Sequence, residues 1–557
     1  MDASLPITAL KLRQHGRAGA GWILAAGMIA ALVLLPVLAL ALQAFQGSAG
    51  LWSHLASSIL PVALADTVIL LCGVGLVVAI LGTSTAWLVT AYDFPGRRIL
   101  EWALILPLAV PTYIIAYAYL DILHPIGPVQ GVIRWALGFS SPRDFRLPDI
   151  RNMAGCIILL GFVLYPYVYI PTRALFLMQS SNLIEASRTL GVSQKRVFWR
   201  VALPLARPAI AVGVSLALME ALNDIGASEF LGVRTLTVSI YTTWVTRSDL
   251  PGAAQIALSL LFIVVALVAV ERWARREQRY SISAQRSRSF EPSRVTASQG
   301  LLFFCTALIP ILVGFIFPAI YLATEAWQRF RFAGLSPRFL AEATNTIVFA
   351  SIATVLTVIL GVTIAYAARL RPGRASTWLF RLSTIGYAAP GTVVAIGVLI
   401  MLATVDRIID RTAIAWFGLS TGLLFMGSGA ALVYAYTTRF LAISAGGMEA
   451  GLTRIPHSFD DAARTLGQTA RGTFKHIHLP LSKAALTAAG LLVFVDCVKE
   501  LPATLLLRPL NFETFATHLY GEAARGTYEE ASIAALAIVV IGILPVILLA
   551  KVGRRKP

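Results

Sequence analysis

The sequence predicts an all-α membrane protein with about twelve transmembrane helices in two homologous six-helix halves. Three observations carry this. Hydrophobic residues make up 57% of the chain and charged ones only 13%, about half the charge of an ordinary soluble domain. Apolar runs of about 20 residues, the length that crosses a bilayer as a helix, recur along the chain. One polar motif occurs twice, at matching depth in the two halves.

In chain order, the first run is Gly21–Phe45, which holds no charged residue and follows Lys11, Arg13 and Arg17. Ala39-Leu40-Ala41 resembles a signal-peptide cleavage site. The run is too long for a usual signal sequence and many spans follow it, so it reads as a retained first helix. Clean runs follow at Leu100–Leu120, Ala154–Leu177, Gly252–Val270, Leu301–Ala323 and Ala531–Ala550. Weaker ones lie near 60–91, 209–230, 340–368, 376–404, 413–438 and 484–507. With the N-terminus inside, alternation places about two thirds of the 46 Lys and Arg on the inner face, the asymmetry that sets membrane topology. An even number of spans also brings Lys551, Arg554, Arg555 and Lys556 inside. The net charge of +18 therefore reads as a topology signal, and no nucleic-acid partner is expected. Cys72, Cys156, Cys305 and Cys497 are widely separated and fit small apolar roles.

The repeat fixes the domain organisation. Residues 185–205 read EASRTLGVSQKRVFWRVALPL and residues 461–481 read DAARTLGQTARGTFKHIHLPL. They align without a gap at an offset of 276 residues. The division is an N-terminal transmembrane half, 1–271, with its loop at about 181–206, and a C-terminal half, 299–557, with its loop at about 446–482. Between them, 272–298 is a polar cytoplasmic linker whose seven arginines suit a surface near anionic lipid.

Each loop lies on the inner side. An acidic residue opens it (Glu185, Asp461), where a helix N-terminus favours negative charge. Ala186 and Leu190, like Ala462 and Leu466, are four apart and give a short helix a small apolar face. Gly191 and Gly467 suit the left-handed stop of that helix. Pro204 and Pro480 stand where the next helix can begin. The expectation is a helix–turn–helix, displayed twice to a partner that is itself paired.

The pattern [E/D]-A-[A/S]-R-T-L-G, with Leu-Pro twelve residues after the glycine, resembles the "EAA loop" of ABC importer permeases. The resemblance implies that fold and a bacterial inner-membrane location, multi-pass with both termini cytoplasmic. It also implies two copies of an ATPase subunit docked inside and a solute-binding protein outside. Glu185, Ala186, Arg188 and Gly191 match the first docking loop, and Asp461, Ala462, Arg464 and Gly467 the second, where aspartate replaces the usual glutamate. No GxxxxGK[ST] phosphate loop or catalytic motif is present, so this chain is expected to bind no cofactor and to be no enzyme, with ATP and Mg on the partner.

Behind each loop stands a pair of carboxylates four apart, Glu220 with Asp224 and Asp496 with Glu500. On one helix face they are candidates for lining a cation pathway. Alternatively they sit at outer helix ends, solvated or paired, for instance Asp496 with Lys499. No metal site is assigned. Ion-driven secondary transporters also have repeated halves and intramembrane carboxylates, but they do not need the duplicated loop. LPLAVPTYIIAYAYLD (106–121), LYPYVYIPTRALF (164–176), NDIGASEFLGVRTLTVSIY (223–241), GYAAPGTVVAIG (386–397) and KELPATLLLRPLNFETFAT (499–517) resemble the ferric-iron importer permeases in particular. Thiamine, polyamine and phosphonate permeases share the loop and general build.

Overall fold

In hydrocarbon an apolar run has no water for its N–H and C=O groups and must close its own hydrogen bonds as a helix. The computed structural model, which describes residues 20–47, 50, 52–178, 194–274 and 292–552, is helical nearly throughout. The first half supplies Ala20–Gln46 (α1), Leu60–Ala91 (α2), Arg97–Ala103 (α3), Thr112–Ile122 (α4), Pro128–Leu137 (α5), Met153–Leu164 (α6) and Pro166–Met178 (α7). Leu203–Asn223 (α8), Gly226–Phe230 (α9), Leu236–Val245 (α10) and Leu250–Ala274 (α11) complete it. The second half begins with Ala297–Ile311 (α12), Phe317–Ala333 (α13), Phe339–Leu370 (α14), Arg374–Ser383 (α15) and Gly391–Phe417 (α16). It continues with Ala430–Thr453 (α17), Ser458–Thr465 (α18), Leu479–Val498 (α19), Pro502–Leu507 (α20), Phe515–Arg525 (α21) and Tyr528–Val552 (α22). A two-residue parallel ladder pairs Tyr92 with Ser293 and Asp93 with Arg294.

Among the described residues nine helices are long and apolar enough to cross a membrane, or eleven if each of two bent pairs is one span. α17 has the length of a further span but carries Arg439 midway. Several of the predicted spans are altered: Ala154–Leu177 is bent by 41°, and the runs near 209–230 and 484–507 overrun helices that end at Asn223 and Val498. The run Leu100–Leu120 is broken, with a 92° bend between Arg97–Ala109 and α4, because Pro111 takes an extended backbone just ahead of α4. The run near 376–404 is divided between α15 and α16 at Pro390, again extended. The run near 413–438 is no span: α16 ends at Gly418 in the left-handed region, and the next helix starts only at Ala430.

The compact units do not follow the sequence halves. One unit comprises 1–48, 248–258 and 340–514, and the other 49–247, 259–339 and 515–557. The first helix of each half thus belongs to the unit built mainly from the other half, and α22 also joins the first-half unit. In the first of these units α1 packs on α16 and α15. A Cβ on Gly397 would stand 2.4 Å from the Pro36 carbonyl oxygen, so glycine there permits the close approach. Pro36 has no N–H to give the Leu32 carbonyl four residues back, and the Tyr434 hydroxyl donates to it instead.

Prolines also explain the wide turns. Four π-helical segments, Leu55–Ile59, Phe198–Ala202, Leu312–Ile316 and Phe474–His478, each stand directly ahead of a helix with proline in its first turn, Pro61, Pro204, Pro318 and Pro480. Widening the helix moves the carbonyl that would meet the ring. Within the third, the Val313 carbonyl accepts from Tyr119 Oη at 2.8 Å. Pro204 and Pro480 therefore do not begin separate helices: each lies within a longer one that runs on through a π turn.

Gly397→Val is expected to loosen α1 from α16, costing about 1–3 kcal/mol by overpacking and lowering the unfolding temperature in detergent. Gly446→Ala, whose added methyl meets nothing within 4 Å, is expected to leave that temperature unchanged or slightly raised.

Candidate functional site

The second repeated loop is fully described. Asp460 and Asp461 stand in the first turn of α18 and Arg464 in its last. The helix stops as a Schellman motif: Gly467 N–H donates to the Arg464 carbonyl at 3.0 Å and Gln468 N–H to that of Ala463 at 2.9 Å. Gly467 has φ +78°, which glycine adopts without a Cβ penalty. The Thr469 hydroxyl then caps the following turn by accepting from Gly472 N–H.

The helix is turned in a way periodicity alone does not give. Ala463 is buried, while Phe459, Ala462 and Leu466 are exposed, Leu466 at 81%. The apolar face formed by Ala462 and Leu466 points away from the body of its unit. Asp461 and Arg464 flank it, 3.5 Å apart and both exposed.

Asp460 holds the loop down. Its carboxylate meets Arg369 Nη2 at 2.7 Å and lies 2.8 Å from Nε2 of the fully buried His478. Arg369, at the end of α14, also donates to the carbonyls of Leu452, in the last turn of α17, and of Ile455, just beyond it. Beneath lie Tyr366, Met448, Leu452 and Ile455. Trp22 of α1 packs edge-on against Tyr366 with ring centroids 5.0 Å apart, and Tyr366 Oη donates to the Ala470 carbonyl at 2.6 Å. A polar clamp over an aromatic floor thus fixes α18 from both of its flanking helices.

Of the first loop, Glu185, Ala186, Arg188 and Gly191 lie outside the described residues, as does 275–291 of the linker. α7, which precedes that loop, joins a charged cluster with α3. On α7, Arg173 pairs with Glu101 at 3.0 Å, and Arg97 pairs with Glu101 at 3.2 Å.

The carboxylate pairs do not form single-helix faces. α8 ends at Asn223 and α19 at Val498, so Glu220 and Asp496 are helical while Asp224 and Glu500 are not. Both of the latter cap the next short helix. Asp224 accepts from Ala227 N–H at 2.7 Å and Ser228 N–H at 3.2 Å, and from the Thr112 hydroxyl. Glu500 accepts from Ala503 N–H at 3.1 Å and Thr504 N–H at 3.2 Å. The repeat therefore preserves a cap, which satisfies orphan helix amides with a buried acid. Glu500 is further paired with Arg439 Nη1 at 2.6 Å, both buried, and Asp496 meets Lys499 at 2.8 Å. Asp224 and Glu500 fall in different units.

Sequence reasoning missed Arg369, Asp460, His478 and Arg439. Arg439 was legible as a charge inside an apolar stretch, which requires a partner. Asp460 was overshadowed by Asp461, the repeated position.

Comparison with known proteins gives a consistent picture. A family model described as "binding-protein-dependent transport system inner membrane component" matches residues 79–279 and again 357–556. The chain is 23% identical to the Fe(3+)-transport system permease protein FbpB 2 of Haemophilus influenzae over 497 residues, 88% of this chain and 89% of that protein. It is 29% identical over 199 residues to a putative 2-aminoethylphosphonate transport system permease protein, PhnU, of Salmonella choleraesuis, 35% of this chain and 68% of that protein. It is 27% identical over 205 residues to the molybdenum transport system permease protein ModB of Escherichia coli, 36% of this chain and 86% of that protein.

Arg369→Met removes the clamp while keeping side-chain length. Hydrogen exchange is expected to speed up in 458–466, with the caps at Asp224 and Glu500 unaffected; unchanged exchange in α18 would show that Arg369 does not hold the loop.

Proposed function

Because the chain belongs to the family of binding-protein-dependent transport system inner membrane components, we propose that it is the fused, two-halved permease of an ABC importer whose cargo is ferric iron. α18 carries the docking part of this reading. A short helix whose apolar stripe faces outward, flanked by Asp461 and Arg464 and held by buried charge beneath, is built to be pressed against something. Its repeat partner at 185–191 supplies the second contact for a paired ATPase. Nucleotide and Mg sit on that ATPase, since the chain has no phosphate loop.

Orientation follows from charge. With both termini in the cytoplasm, both loops and the basic linker are inside, and the caps at Asp224 and Glu500 are outside, where a solute-binding protein delivers cargo. The coupling stroke enters through the two loops. Because α18 is tied to α14, α17 and α19, force applied to it reaches three helices of its unit at once.

The iron reading rests on extent. The iron-named relative matches across both halves, whereas the phosphonate- and molybdenum-named relatives each match over about a third of this chain. Asp224 and Glu500 act as helix caps and Asp496 meets Lys499.

Reversing charge at both loops, Glu185→Lys with Asp461→Lys, is expected to abolish co-purification of the ATPase while membrane insertion is retained; undiminished transport by that variant would overturn docking at these loops. In cells lacking the protein, Fe(III) uptake is expected to fall to background and return with the wild-type gene. Normal Fe(III) uptake in its absence would remove iron as the cargo.

A further inference from the structure

A helix at a protein's surface in water buries its apolar residues and shows its polar ones. Helix α5, in the connection between α4 and α6, does the reverse. Gln130 and Arg134 are buried and, four apart, share one face. Val132, Trp135 and Leu137 are exposed, at 64%, 83% and 58%, and Ala136 is exposed with them. Val129, Val132, Ile133 and Ala136 recur at the spacing of a helical stripe, and that stripe carries no charge.

Local structure holds the inversion in place. Gln130 Nε2 donates to the Leu123 carbonyl at 2.7 Å, and Gln130 Oε1 accepts from Leu147 N–H at 3.1 Å. The chain after α5 thus returns onto its polar face. Phe139 and Phe145 stack with ring centroids 5.8 Å apart, closing that return on itself. The helix stops at Gly138, with φ +77°, and Phe139 N–H donates to the Arg134 carbonyl at 2.9 Å. The exposed charges that follow, Arg143, Asp144, Arg146, Asp149 and Arg151, all lie in 139–151 and none on the stripe.

The depth of α5 follows from its neighbours. α4 closes one bent span, α6 opens the next, and the two pack together. A Cβ on Gly127, just ahead of α5, would stand 2.4 Å from the Asp121 carbonyl oxygen and 2.9 Å from that of Ile122. The start of α5 is therefore pressed against the last turn of α4, where a span ends. Its ten residues are too few to cross a bilayer.

We propose that α5 lies flat in the membrane–water boundary, with Val132, Trp135 and Leu137 in lipid and Gln130 and Arg134 against the protein. Lipid is the occupant because the stripe begins at the end of a span and is continuous with the membrane region. Tryptophan favours that boundary, and a short amphipathic helix with its charges kept off the apolar face is the form that lies there. Set between the ends of α4 and α6, such a helix fixes the depth of both. This holds whatever the cargo.

The test uses the full chain with its four cysteines replaced by alanine and a spin label at Val132→Cys, Trp135→Cys or Arg143→Cys. It is reconstituted in vesicles of phosphatidylethanolamine and phosphatidylglycerol. Labels at 132 and 135 are expected to collide with oxygen and to be shielded from a water-soluble nickel chelate, at depths of about 5–10 Å. The label at 143 is expected to show the opposite. With the native cysteines kept, Trp135→Phe is expected to lower the tryptophan signal that brominated lipid quenches, a check that needs no cysteine replacement. Labels at 132 and 135 as open to the chelate as that at 143 would place α5 in water and overturn the proposal. Labels shielded from both probes would mark a protein contact, with a second copy or another chain, and overturn it as well. So would quenching left unchanged by Trp135→Phe.

Discussion

Every backbone polar group within the hydrocarbon has to be satisfied by the protein itself, and much of this structure is a set of answers to that demand. Helices meet it for most residues. Proline defeats it locally, and the chain uses proline repeatedly. Where Pro36 leaves the Leu32 carbonyl free, Tyr434 supplies the missing donor. Where Pro318 follows a π turn, Tyr119 does so for Val313. These tyrosines are at once hydrogen-bond donors and contacts between helices, so the repair of a broken helix becomes a reason for two helices to pack. The same demand at helix starts explains why acids recur at Asp224 and Glu500, since each satisfies amides of a short helix that would otherwise face an apolar environment.

Charge inside such a body needs a partner, either an opposite charge or a set of donors such as the amides that Asp224 accepts from. Among the described residues of the unit that carries the second loop, Arg439 pairs with Glu500, both buried, and Arg369 pairs with the partly buried Asp460. They sit at different places along it: one locks α17 to the cap of α20, and the other fixes the second repeated loop. α17 links both, which gives a mechanical connection from the loop into the membrane body by ordinary packing and hydrogen bonding. His478, buried against Asp460, joins α19 to the same clamp. The exposed side of α18 thus carries Asp461, Ala462 and Leu466, while its buried side carries the polar work.

The exchange of first helices between the units gives the repeat a second meaning. Each half lends its first helix to the unit built largely from the other half, so neither half completes its own packing. Trp22, near the start of α1, reaches the aromatic floor below the second loop. A chain that fuses both halves keeps the lent helices at fixed stoichiometry.

What the sequence alone determined is local and periodic. Apolar runs gave the membrane helices, the gap-free repeat gave two halves, and Gly467 correctly marked a left-handed helix stop, because those features depend on residue type and spacing over a few turns. The extended prolines that break 97–122 and 376–404 were present in the sequence, but mean hydropathy carried those runs across them. Only the tertiary structure decided which face of α18 looks outward, that Asp224 and Glu500 leave their helices to cap others, and which unit receives each first helix. Those outcomes depend on partners far away in the chain, such as Arg369, 91 residues before Asp460, and Leu32, 402 residues before Tyr434. No spacing rule along one strand of sequence encodes which distant donor will meet which acceptor; the repeated loop was legible as a motif, and its grip on the rest of its unit was not.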